Sequence, residues 1–99
     1  MVIVSWTVQA LDDLDAICEF IARDAPRYAQ LFAIQAFETI DRLAMFPLSG
    51  RVVPEINRKE IREVILGNYR IVYRLKEEET EILTVHHGAQ VLTADKLKR

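Results

Sequence analysis

The stretch "IREVILGNYRIVYRL", residues 61–75, decides the fold. Gly67-Asn68 stands between two runs rich in β-branched and aromatic residues. A two-residue connection with glycine first is the signature of a type II′ β-hairpin. The turn pairs Leu66 with Tyr69, Val64 with Ile71 and Arg62 with Tyr73 on one sheet face. Ile65, Glu63 and Ile61 share the other face with Arg70, Val72 and Arg74. A third run, "EILTVHH" (81–87), follows the acidic turn "EEET" (77–80) and extends the sheet.

Working back towards the N-terminus, "FPLSGRVVPEINRK" (46–59) contains Pro47, Gly50 and Pro54 and supports neither helix nor strand. A connection of this length in so small a chain marks a functional or mobile loop. Before it, Ala29, Phe32, Ala33, Ala36, Phe37, Ile40, Leu43 and Ala44 recur at helical spacing, which places Phe37 in the core. An earlier stripe of Leu11, Leu14, Ile17, Cys18 and Ile21 marks another helix, capped by Thr7 and ending near Arg23. Asp24 is the expected cap of the second helix, with Pro26 in its first turn. The short connection makes the two an antiparallel hairpin. "VIVSW" (2–6) reads as an opening strand, with Trp6 in the core where strand meets helix. The tail "VLTADKLKR" reads as a short helix or a frayed end.

The order is therefore β-α-α-β-β-β in one domain spanning residues 1–99. The fold class is α+β, with a helical hairpin packed on one face of a mostly antiparallel sheet. That arrangement leaves the second sheet face bare, with the guanidinium groups of Arg70 and Arg74 open to a partner.

Composition narrows the function. The chain is 51% hydrophobic and 28% charged, as ordinary folded proteins are. Its net charge of −2 is unevenly spread. Residues 1–46 carry seven acidic and three basic side chains, whereas residues 47–99 carry eight and ten. Opposite faces with different partners are expected from this split. Cys18 has no disulfide partner and reads as a small buried hydrophobe. No apolar run approaches a membrane span, and "MVIVSW" lacks the features of a signal peptide, so a cytoplasmic location is expected. Strand alternation sends His86 and His87 to opposite faces, which argues against a shared metal. No P-loop, dinucleotide fingerprint or nucleophile triad is present, and no cofactor is expected. Arginines 70 and 74 can each fork onto phosphate or carboxylate. They can equally be solvated and neutralised by Glu63 on the neighbouring strand.

The chain resembles the ParE/RelE superfamily of bacterial type II toxins, nearest its ParE-like plasmid-stabilisation branch. The resemblance runs through Trp6, "ALDDLDAICEFIA" (10–22), "LAMFPLSGR" (43–51), "VPE" (53–55), "IREVILGNYRIVYRL" (61–75) and "ILTVHHGAQ" (82–90). It implies a toxin held inactive by a cognate antitoxin in a hetero-oligomer. Arg62, Arg70, Arg74, His86 and Gln90 are the candidate contacts for antitoxin or target. ParE-like members are taken to inhibit DNA gyrase by binding, without catalysis. RelE-like relatives cleave mRNA on the ribosome. In that alternative Arg70 faces the phosphate, while Glu55 and His87 supply acid–base groups. Related sequences commonly read His-Gly-Ala-Arg where this one has "HGAQ". The neutral amide of Gln90 cannot replace a guanidinium on phosphate, which disfavours cleavage and leaves an inactive antitoxin-binding module as a third reading.

Overall fold

The computed structural model describes residues 1–90, 92 and 93. Its elements are β1 (Ile3–Trp6), α1 (Val8–Ala22), α2 (Pro26–Met45), β2 (Arg51–Val52), β3 (Ile61–Leu66), β4 (Tyr69–Leu75) and β5 (Glu79–His87). The sheet order is β1-β5-β4-β3-β2. Every β3–β4 pair expected from the turn is formed, from Leu66–Tyr69 through Ile61–Arg74. Gly67 alone in the turn has positive φ, at 58°, as a type II′ turn requires. β5 lies antiparallel to β4, and β1 runs parallel to β5 on its far side. A parallel neighbour needs a crossover, and here the helical hairpin begins that return path. β5 starts at Glu79, two residues inside the expected acidic turn.

The short β2 is an addition. It lies in the segment read as loop and pairs with Arg62 and Glu63. Two residues are too few to show alternation, so no pattern announces it.

The helices sit where the periodicity puts them, with changes at the ends. The Thr7 hydroxyl accepts from the Ala10 amide, capping α1. It also donates to the Ile82 carbonyl at 2.8 Å, which ties the helix start to β5. Asp13 accepts from the Thr84 hydroxyl and the Val85 amide. α1 thus satisfies the edge of β5 beyond the reach of β1. The residue before α2 is Ala25, which makes no side-chain cap, so the expected Asp24 cap is not formed. Pro26 holds the first turn without needing an N–H.

The main core joins Ala10, Ile40 and Leu43 to Ile71, Tyr73, Ile82 and Val85. Phe37 is not part of it. It is 48% exposed and packs its ring against half-buried Trp6 at 5.6 Å between centroids. The helical stripe holds, but Phe37 lies at its edge, so its truncation costs less than removal of a core ring.

The second sheet face is not bare. Val53, Ile61, Val72, Leu83 and Leu92 form a second buried cluster there, with Ile56 against it. The segment after β2 and Leu92 beyond β5 fold over the sheet. A bulge serves this packing: Val72 pairs with Thr84 while Tyr73 pairs with Ile82. Leu83 is the extra residue and joins the second cluster while Ile82 and Val85 join the first. Apart from Leu92 and Thr93, the expectation for the tail lies outside the described residues.

Tyr73 locks the loop to the sheet. Its buried hydroxyl donates to the Pro47 carbonyl at 2.8 Å and accepts from the Gly50 amide at 2.9 Å. A Cβ on Gly50 would lie 2.4 Å from that hydroxyl and 2.6 Å from the Glu63 carbonyl oxygen. Gly50→Ala is therefore expected to cost about 1–3 kcal/mol by overpacking. A urea midpoint unchanged from that of the parent chain would contradict this account of the contact.

Candidate functional site

Arg70 stands on β4, and strand alternation turns it away from the helices. It was expected to be open to a partner, and the structure overturns that. Arg70 is 5% exposed and enclosed by carboxylates of its own chain. Glu55 meets it with both oxygens, from Nη1 at 2.7 Å and from Nη2 at 2.8 Å. Glu63, 1% exposed, accepts from Nε at 2.6 Å. The fourth hydrogen bond goes to the Gln90 carbonyl, 3.3 Å from Nη1.

The charges alternate outward. The second Glu63 oxygen accepts from Arg51 Nε at 2.6 Å. Glu55 also accepts from the Leu92 amide at 3.2 Å. Two arginines and two glutamates therefore join β3, β4, the start of β2 and the segments on either side of the second cluster. Hydrogen bonds from Arg70 hold the Glu55 carboxyl at about 2, well below its usual 4.5. In return Glu55, ahead of Glu63, raises the Arg70 guanidinium above its ordinary range against the opposing effect of burial. No protonation change occurs near neutral pH in such a pair.

The other candidate residues are dispersed. Arg62 belongs to the helix-facing set with Tyr73, as its register required. Its guanidinium donates to the carbonyls of Lys59, at 3.1 Å, and Gly50, at 3.0 Å, so it braces the loop. Arg74 is half-buried, with Glu81 at 3.9 Å, a distance Glu81 also offers Lys76 at 3.7 Å. Arg74 therefore keeps part of the exposure expected of it, and Arg70 does not. His86 is half-buried and pairs across the strands with Arg70. His87 is exposed, accepts from the Ala89 amide at 3.1 Å, and meets the edge of Tyr69 at 5.5 Å. Tyr69 in turn packs on Phe32 of α2, which places His87 on the helix side. Glu55 and Arg70 thus come together, while His87 lies across the sheet from them. Gln90 is exposed and contributes its backbone carbonyl, not its amide, to the cluster.

Among the described residues no group of His, Cys, Asp and Glu could hold a metal ion. None of their helices is long and apolar enough to cross a membrane. Cys18 is half-buried, and burial, ahead of nearby Asp15, raises its thiol pKa. A raised pKa makes a poor nucleophile.

The sequence marks Arg70 and Glu55, with Glu63 as a neutralising carboxylate on the neighbouring strand, but not the part taken by Arg51. The signal was available in part. Glu63 faces Val72 and Arg70 faces Ile65, so acid and base are diagonal neighbours on one sheet face. The contribution of Arg51 depends on β2, which had no pattern.

A helical hairpin on one side of a five-stranded mixed sheet is the fold of ParE- and RelE-like toxin–antitoxin structures. The chain belongs to the ParE toxin family: residues 4–92 match the family described as the ParE toxin of the type II toxin–antitoxin system parDE. It is 37% identical over 89 residues to the Y4kP protein of Sinorhizobium fredii, covering 88% of each chain. Toxin RelE2 of Caulobacter vibrioides is 32% identical over 88 residues, covering 89% of this chain and 97% of its own. Among solved structures, the chromosomal ParDE system of P. aeruginosa shares the fold, with a TM-score of 0.73 and 24% identity over 88% of this chain and 96% of that one. The toxin–antitoxin complex RelBE2 of Mycobacterium tuberculosis follows with a TM-score of 0.59 and 26% identity over 91% and 97%. The chain is thus a toxin of a type II system.

Two predictions follow from the cluster. Arg70→Ala strands the buried Glu63 carboxylate with Arg51 alone and is expected to lower unfolding free energy by about 3–5 kcal/mol. Chemical denaturation measures it, and a loss below 1 kcal/mol, roughly that of an exposed pair, would contradict burial. The folded pKa of Glu55 lies below its unfolded value, so its stabilising contribution is complete above about 4.5 and drains away as pH falls towards about 2. In Glu55→Gln that part of the acid unfolding profile should flatten while stability near neutrality drops.

Proposed function

We propose that this ParE-family toxin acts by binding, with DNA gyrase as its target and a cognate antitoxin as its neutralising partner in the cytoplasm. One observation carries the preference for binding over chemistry. The guanidinium that would have to grip a scissile phosphate is taken by Glu55 and Glu63, and His87 lies on the opposite face. A ribonuclease needs a phosphate-binding cation, a base and an acid converging within hydrogen-bond reach. The neutral Gln90 side chain adds no cation. Gyrase as target is what membership of the ParE branch supports, and an antitoxin partner is supported by the neighbours, which are described as toxin–antitoxin assemblies.

Cleavage of mRNA on the ribosome is the second reading, because Glu55 and Arg70 do meet. It requires the fork between them to open on the ribosome. Purified protein is expected to inhibit gyrase supercoiling in a dose-dependent manner. Normal supercoiling at a large excess of protein, together with new 5′ ends by primer extension on translated mRNA, would transfer the assignment to the nuclease. Growth unaffected by unpartnered expression would instead mark an inert antitoxin-binding module.

A further inference from the structure

β1 closes one side of the sheet, and no strand lies beyond it among the described residues. Its backbone groups alternate in direction. The amides of Ile3 and Thr7 donate to the carbonyls of Glu78 and Ile82, each at 3.1 Å. Val4 and Trp6, out of phase with them, therefore aim their N–H and C=O groups away from β5. Folded proteins guard such open edges with lysine, proline or a bulge. β1 has none of these. Residues 1–11, MVIVSWTVQAL, hold neither a charged side chain nor a proline. The pairing of β1 with β5 runs without a shift.

The exposed apolar side chains here are placed for a two-fold axis. Met1 and Ile3 stand at the start of the strand, and Val8 stands just past its end. An antiparallel copy sets the start of one strand against the end of the other. With the axis at Ser5, Val4 of each copy lies opposite Trp6 of the other. Such pairs exchange N–H···O bonds in both directions, so every outward group of Val4 and Trp6 is satisfied. An axis at Val4 would need the Val2 amide, which already donates to the Ala44 carbonyl at 3.0 Å. The axis at Ser5 also brings Met1 and Ile3 of each copy towards Val8 of the other.

The electrostatics agree with a second copy. Glu79, beside Ser5 on β5, accepts from the Ser5 hydroxyl at 2.7 Å and is held on its own sheet. Asp12 and Asp13 follow on α1, so the two-fold carries those of the two copies to opposite ends of the paired strands. A strongly charged peptide would find no opposite charge along β1, whereas a second copy is as neutral as the edge it meets.

We propose that the chain self-associates through β1, antiparallel about Ser5, so that two sheets join into one. Neither an antitoxin nor a target enters the argument, and the inference goes beyond the toxin reading.

Sedimentation equilibrium of the full chain tests it, with the weight-average mass expected to rise about twofold as concentration increases. Ile3→Lys would bury an unpaired ammonium in each half of the interface and is expected to weaken association by about tenfold or more. Ile3 is 71% exposed, so the dilute variant should keep its thermal midpoint. Cysteines read the register in a Cys18→Ala background, Cys18 being the single native cysteine. At a two-fold through Ser5 the facing Cα atoms lie about 4.5 Å apart, inside the ~4.4–6.8 Å that a disulfide spans. Ser5→Cys should therefore cross-link on mild oxidation. Ile3→Cys would lie about 13 Å from its own counterpart and should not. A chain monomeric at every concentration would leave β1 to a different strand and overturn the proposal. A dimer indifferent to Ile3→Lys, or Ile3→Cys cross-linking as readily as Ser5→Cys, would overturn it too. A failed gyrase assay with the dimer intact would remove only the target reading.

Discussion

A buried carboxylate needs cations, and Glu63 is almost wholly removed from water. The second face of the sheet is organised around that requirement. Taking one charge into a protein interior costs several kcal/mol, and it is tolerated only with good geometry and complete hydrogen bonding. Glu63 meets both conditions by accepting from Arg51 and Arg70. Arg70, equally buried, has donors left over, and Glu55 takes them as a fork. The cluster closes at two charges of each sign. Its charged members all lie between residues 51 and 70, and the backbone of Gln90 and Leu92 reaches it from beyond β5, so the ionic closure also fixes where the loop after β2 and Leu92 lie. Those segments then cover Val72 and Leu83. Packing and charge pairing on this face are one arrangement.

That closure divides the surface by function. An arginine that faces water can be recruited by any anion. One held by two carboxylates must be taken from both, with Glu63 left half-satisfied in a dry site. A phosphate competing for Arg70 meets that penalty before it gains a contact. Arg74 does not carry it: its nearest carboxylate is 3.9 Å away and is shared with Lys76. An anion approaching this face therefore meets less resistance at Arg74 than at Arg70, which serves the fold.

Most of the architecture was legible because it is local. Gly67-Asn68 fixed the hairpin register to the residue, and the helical stripes placed both helices within a turn. Thr7 was readable as a cap because its hydroxyl acts within one turn. What escaped depends on contacts between segments distant in sequence. The parallel pairing of β1 with β5 leaves no mark in either strand. β2 is too short for a period. Phe37 fits the apolar stripe by spacing, yet whether a stripe edge is buried depends on how wide a surface the sheet offers it. The openness of Arg70 was misjudged for the same reason. Alternation gives the face a side chain points to, but not whether another segment later folds over that face.

The helical hairpin and the second sheet face lie on opposite sides of the sheet, which constrains any partner that engages both. A partner resting on the hairpin alone leaves Arg74 and Lys76 uncovered. To reach them its chain must pass an edge of the sheet. β1 forms one edge, where Ile3 is exposed and no strand among the described residues lies on its outer side. β2 pairs only with Arg62 and Glu63 at the other, so among the described residues no strand lies beside Val64 to Leu66, and Ile65 is exposed there. Unpaired strand edges flanked by apolar side chains are templates for strand addition.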